Sequence, residues 1–298
     1  MPVDSATDDL FEIKNNFYLG NFQQCINEAQ KLKSLKEESK LLRDVYLYRA
    51  YIAQRKYAIA LDEISAGSPP ELQAVRLHAE YMSNTSDRER ILKDLENTVA
   101  AGLNLSDTFL LIAGLIYAAE ENYDQALRIL HQANDLECLA LSVQCLLKMD
   151  RVDLALKELK KMQEKDEDAT ISQLCNAWVN MAVGKDKLQD AFYIFQEMID
   201  KYNTTVVLLN AQACCLMQQG KYEQAMTLLE DALEKDSNNP ETLINLTVLS
   251  QLLGKPIEVS NRYVSQLKEG HHHHSWVKDY YAKENEFDRL VRQYQVSR

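Results

Sequence analysis

Two stretches of this chain repeat one pattern of residue types. Residues 206–239, VVLLNAQACCLMQQGKYEQAMTLLEDALEKDSNN, are followed by Pro240 and place Ala213, Gly220, Tyr222, Ala225, Leu229 and Ala232 at fixed intervals. Residues 107–136 carry the matching set Gly114, Tyr117, Tyr123, Ala126, Leu130 and Ala133. A period near 34 residues constrains the fold more than any other feature, because such a unit is a pair of helices that buries its apolar face only by stacking on the next pair. Taking the small residue early in each second helix as a marker gives Cys25, Ala60, Ala126, Ala155, Ala191, Ala225 and Val259, with gaps of 35, 66, 29, 36, 34 and 34. The gap of 66 is two periods, so a degenerate unit is expected near Ile91. About eight helical hairpins follow.

The pattern resembles the tetratricopeptide (TPR) repeat, in which small residues sit where helices cross closely and aromatics fill the wedge between hairpins. The expected fold class is all-α: one TPR-like α-solenoid over residues 1–298, a right-handed superhelix with a flexible tail at 1–8. The chain has only 8 Gly and 5 Pro, too few for the corners of a sandwich, a barrel or a Gly-rich nucleotide-binding fold. Special backbone angles are therefore expected to be scarce. Residues 275–298 place Trp276, Tyr280, Phe287, Leu290, Val291 and Tyr294 near helical spacing and read as a helix capping the last hairpin, on Leu246, Leu249 and Leu253.

The two helices of a unit differ. Second helices such as KYEQAMTLLEDALEKD alternate an apolar with a charged face, whereas the first-helix runs 108–119, 169–184, 203–220 and 242–254 contain no charge. A helix apolar nearly all round is buried on both sides. First helices line the inner face of a TPR solenoid, and the register points Leu111, Ile112, Leu115, Ala140, Leu141, Leu174, Trp178, Ala211, Cys214, Met217, Ile244 and Val248 inward. These residues predict an apolar groove that holds a protein segment; the alternative is tight closure, in which they pack only on one another. Asn210, Gln212, Gln218 and Gln219 interrupt the longest run, so no membrane span is expected.

The net charge of −12 disfavours a phosphate backbone as partner, so no nucleic acid is expected. The six cysteines lie in apolar helical patterns without a C-x-x-C pair and read as reduced core residues of a cytosolic protein. The acidic N-terminus has no signal-peptide pattern. Nucleotide-binding, nucleophile-elbow and zinc-protease motifs are missing, so no catalytic residue, cofactor or metal ligand is assigned. His271–His274 read as a solvated loop between the last hairpin and the cap. A TPR clamp for C-terminal carboxylates needs basic first helices, yet from Asp107 onward these offer only Lys148. The Trp-Arg signature of prenyltransferase α-subunits is missing at both Trp178 and Trp276.

Longer strings are more specific. DLFEIKNNFYLGNFQQCINEAQ, RDVYLYRAYIAQRKYAIALDEI, PELQAVRLHAEY, LKELKKMQEKDEDAT, KLQDAFYIFQEM, PETLINLTVLSQLLGKP and AKENEFDRL resemble the coatomer ε-subunit family over nearly the whole chain. That resemblance implies a noncatalytic structural subunit of the COPI vesicle coat. It would be cytoplasmic and peripheral on Golgi membranes and COPI vesicles, serving retrograde Golgi-to-ER and intra-Golgi transport. It also implies partners: the C-terminal domain of the coatomer α subunit, which the solenoid would bind and stabilise, and the other coatomer subunits, without direct membrane insertion. The competing reading is a helical-hairpin adaptor in membrane fusion, of the soluble NSF attachment kind. An extended basic surface would favour it, and the net charge does not.

Overall fold

The computed structural model describes residues 9–32, 34–101 and 105–294; the expected tail at 1–8 and the last four residues lie outside them. Seventeen α-helices and no strand occur among the described residues. In chain order they are α1 (Phe11–Tyr18), α2 (Phe22–Lys31), α3 (Glu37–Ala53), α4 (Tyr57–Glu63), α5 (Pro70–Ser83), α6 (Arg88–Ala100), α7 (Asp107–Ala119), α8 (Tyr123–Leu130) and α9 (Leu136–Lys148). They continue as α10 (Val152–Asp166), α11 (Thr170–Val183), α12 (Lys187–Lys201), α13 (Val206–Gln218), α14 (Tyr222–Lys235), α15 (Pro240–Leu252), α16 (Ile257–Gly270) and α17 (Ser275–Tyr294). Sixteen helices thus alternate as first and second members before α17, and the degenerate unit is the pair α5 and α6. The chain gathers into two compact units, residues 1–187 and 188–298.

Local chemistry starts the first helices. Ser106, Asp135, Thr205 and Asn239 each accept a backbone N–H from the first turn of α7, α9, α13 and α15, satisfying donors that helix geometry leaves unpaired. The marker sits three residues after each second helix begins, or four in α12. Cys25, Ala60, Ile91, Ala126, Ala155, Ala191 and Ala225 are all buried there. Val259 is only half-buried: Pro256 delays the start of α16, and buried Ser260 takes the marker position, its hydroxyl donating to the Ile257 carbonyl at 3.0 Å.

Special backbone angles are not scarce. Six hairpin turns share one closure in which an N–H reaches the carbonyl five residues back: Asn21 to Asn16, Lys56 to Tyr51, Asn122 to Tyr117, Arg151 to Leu146, Lys221 to Leu216 and Lys255 to Ser250, at 2.8–2.9 Å. This Schellman closure needs a left-handed residue just before the donor. Gly20, Gly220 and Gly254 supply it in three turns, and Arg55, Glu121 and Asp150 adopt φ of 62°, 59° and 58° in the others. Glycine content therefore undercounts such turns, because the shared closure holds ordinary residues in a strained region.

The core of the first unit is a series of clusters, each shared between successive hairpins. One joins Val45, Ile52, Ala60 and Val75; the next joins Tyr81, Ile91, Ile112, Ile116 and Ile129. Gly114 marks the closest approach: a Cβ there would lie 2.7 Å from Leu130 Cδ2 and 3.1 Å from Leu141 Cδ2. In the second unit, α13 to α15 enclose Ala213, Leu229, Leu246 and Leu249, and a further cluster packs Val277 of α17 on Leu243, Ile244 and Leu267. The cap therefore covers Leu243 and Leu267 rather than Leu246, Leu249 and Leu253. Only its first turns do so, since every residue from Tyr281 to Tyr294 is exposed.

The histidine connection is docked at its two ends, His271 and His274, while His272 and His273 are exposed. His271 is buried, with Nε2 2.8 Å from the Asn238 carbonyl oxygen, and His274 Nε2 lies 3.0 Å from Glu241. The loop ahead of α15 and the first turn of α15 offer these partners, so the two ends of the connection follow the packed helices. The six cysteines are free thiols, and burial pushes Cys25, Cys175 and Cys215 up to about 12. At neutral pH they remain protonated core groups.

Candidate functional site

The inner side of the first unit is formed by α7, α9 and α11, and α1 and α3 face it. Packing brings α1 onto α3 and onto α11. Two long-range polar contacts fix the arrangement. Arg49 of α3 forms a bidentate pair with Glu137 of α9, at 2.8 and 3.1 Å, and Thr170 of α11 donates to Asn15 Oδ1 at 2.6 Å. The Arg49 guanidinium lies 4.6 Å from the Phe17 ring centroid and 5.2 Å from that of Tyr46. The Tyr18 and Tyr46 hydroxyls are 2.7 Å apart. Burial works to lower the Arg49 pKa, but the charge and hydrogen bonds of Glu137 raise it above its ordinary value. Burial, then Glu137, pushes both tyrosines well above theirs. The network thus holds one ion pair and two neutral phenols in a largely dry interior.

Two hollows remain beside this network. The smaller, about 240 Å³, is walled by Leu111, Leu115, Ala140, Leu141, Leu174 and Trp178 together with Phe17, Phe22, Arg49 and Ile171. Six of the twelve residues expected on the inner face therefore converge here. Ile112 does not: it is completely buried against α5, α6 and α8, because neighbours on a helix point about 100° apart and Leu111 takes the inner position. The larger hollow, about 350 Å³, lies at the N-terminal ends of α7, α9 and α11, and Leu111 lines it as well.

The remaining expected residues belong to the second unit. Met217 is half-buried against the core of α13 to α15, and Ile244 is buried with Val277 beneath the cap. Ala211 and Cys214 are half-buried and Val248 is exposed. Beside them runs a polar ladder. Asn245 donates to Asn210 Oδ1 at 2.9 Å, and Asn210 donates to Thr242 Oγ1 at 2.8 Å.

Sequence reasoning missed Phe17, Tyr18, Phe22 and the Arg49–Glu137 pair, because it placed the inner wall only on first helices from α7 onward. One signal was present: Arg49 is the lone charge in VYLYRAYIA, where a cation needs a buried partner.

Helical repeats with an apolar inner wall occur in many proteins, and comparison with known sequences decides among them. A family described as "Coatomer epsilon subunit" matches residues 6–295. The chain belongs to the coatomer ε-subunit family. Coatomer subunit epsilon-2 of Arabidopsis thaliana is 41% identical over 288 residues, covering 96% of this chain and 97% of that protein. Coatomer subunit epsilon of Caenorhabditis elegans is 42% identical over 285 residues, covering 95% and 98%. Members of this family are coat subunits, not enzymes. The fold is shared more widely. A tetratricopeptide repeat protein from Parabacteroides merdae aligns with a TM-score of 0.60 at 12% identity, covering 91% of this chain and 95% of that one. A chain of the APC/C hetero-tetramer Cut9–Hcn1 also gives 0.60 at 13% identity, covering 93% and 56%. No helix among the described residues is long and apolar enough to cross a membrane.

Proposed function

We propose that this chain is a noncatalytic subunit of the COPI coat that binds and stabilises the C-terminal domain of the coatomer α subunit. It would act in the cytoplasm and peripherally on Golgi membranes and COPI vesicles, in retrograde Golgi-to-ER and intra-Golgi transport. The supporting observation is the hollow walled by Leu115, Leu141, Leu174 and half-buried Trp178. An apolar hollow with half-buried Leu115 and Trp178 at its edge is what a protein segment fills. On the second unit, Ala211, Cys214 and Val248 remain available to the same partner. Half-buried Met217 stands with them, whereas buried Ile112 and Ile244 act through packing.

Binding and folding must be separated to test this. Trp178→Ala should weaken binding to the C-terminal domain of the α subunit by about 2 kcal/mol, and Leu115→Asp should weaken it further by placing an unpaired carboxylate in the wall. Both side chains are half-buried against the core, so each change should lower the thermal midpoint of the free chain, but by less than it weakens binding. Ala126→Leu is the contrast: overpacking a fully buried position should destabilise the fold by about 1–3 kcal/mol. If Trp178→Ala and Leu115→Asp lower stability as much as Ala126→Leu while the remaining folded protein binds normally, the wall is self-packed and the partner binds elsewhere.

A further inference from the structure

The larger hollow differs chemically from the apolar one beside it. Its lining includes Asp107, Asp135, Glu137 and Asp166, with Lys14 as the one basic residue. Glu137 is neutralised by Arg49. The three aspartates form no ion pair among the described residues, although they sit where three helix N-termini meet. Asp135 spends one oxygen on the Glu137 N–H, and Asp166 Oδ1 accepts from the N–H groups of Asp168 and Ala169. Each keeps a second oxygen for another donor. Burial, then the charges of Glu137 and Asp107, raises the Asp135 pKa, so the Asp135 carboxylate is held at a cost that a cation would reduce.

A second observation is independent of charge. Asn15 lines the same hollow and is only 4% exposed; its Oδ1 is taken by Thr170, and its buried Nδ2 has no partner. A buried amide donor left unpaired calls for an acceptor. A metal ion supplies none, and no group of three or more His, Cys, Asp or Glu among the described residues could hold one. A polypeptide supplies both needs at once, with a cationic side chain for the aspartates and a main-chain carbonyl for Asn15. We infer that this hollow is a receptor site for an arginine or lysine side chain of a polypeptide partner, read by Asp107, Asp135 and Asp166, with Asn15 donating to the partner backbone. The inference goes beyond the coat reading and does not need it.

The probe is N-acetyl-arginine amide, with N-acetyl-lysine amide as the second basic side chain, added to the full chain and followed by the NMR shift of the Asn15 side-chain amide. Asp135→Asn is the informative variant, because asparagine caps a helix as well as aspartate while removing the charge. At least one probe should shift the Asn15 amide saturably, and Asp135→Asn should weaken that binding about tenfold or more while leaving the free chain at least as stable. Asp166→Asn should act in the same direction. Spermidine, a cation without a carbonyl, should bind more weakly than the better amide. The inference is overturned if neither amide shifts Asn15, if Asp135→Asn lowers stability without changing probe binding, or if spermidine binds as tightly as the better amide.

Discussion

Single residues carry three kinds of constraint here, and each responds differently to substitution. At Gly114 the constraint is space: a methyl group would meet Leu130 and Leu141, so Gly114→Ala should destabilise by about 1–3 kcal/mol and lower the melting midpoint. In the hairpin turns the constraint is backbone angle. Gly220 has φ +74°, and a methyl group there would find nothing within 4 Å, so Gly220→Ala should cost about 1 kcal/mol from conformation alone. The reverse change, Glu121→Gly, should stabilise by up to about 1 kcal/mol, since relief of a left-handed residue outweighs the extra freedom of an unfolded glycine. Denaturant midpoints of the two variants should move in opposite directions. At His78 the constraint is charge. Burial, then the Arg49 charge, lowers its pKa from 6.5 to about 4, and its Nδ1 has no partner. Below pH 6.5 the unfolded chain takes up a proton that the folded chain refuses until about pH 4. The stabilisation is thus complete above pH 6.5 and is lost as pH falls toward 4, by up to about 3 kcal/mol. Replacing His78 with Leu should shrink the drop in melting midpoint between pH 7 and pH 5; an unchanged drop would place the acid sensitivity elsewhere.

Among the elements, α17 separates two roles that one amphipathic pattern had merged. Val277 is buried in the last cluster, whereas Phe287 and Tyr294 are 66% and 77% exposed. A chain ending at Asn285 should melt like the full protein, because residues 286–294 are all exposed and the Lys283–Glu286 pair is a surface one. A chain ending at Gly270 bares Leu243 and Leu267 and should melt lower and self-associate in sedimentation. Helices and their pairing were legible in the sequence because stacking imposes a period, and Cys25, Ala60, Ala126 and Ala225 are spaced by it. What lies over the inner wall was not legible. The contacts of Asn15 with Thr170 and of Arg49 with Glu137 join residues 155 and 88 positions apart, and such spans leave no periodic trace. Ile112 was misassigned for a simpler reason: it lies about 100° round α7 from Leu111, which turns it into the core between hairpins.

Within the first unit as a whole, the Arg49–Glu137 pair ties α3 to α9 across several intervening helices. Removing one partner leaves the other charge buried, so Arg49→Met should cost about 3–5 kcal/mol, and the double change Arg49→Met with Glu137→Met should recover much of it. Urea midpoints of the two single variants and the double variant test this; costs that simply add would show the pair to be energetically uncoupled. Repeat arrays ordinarily behave as a row of neighbours, in which trimming one end subtracts one unit and leaves the rest intact. Here an end of the row is stitched to its interior. Sequence separation this large makes the stitch a late event in folding, so its loss should accelerate unfolding and leave the refolding rate almost untouched. The pair governs how long the unit stays shut, while the local turns govern how fast it is made.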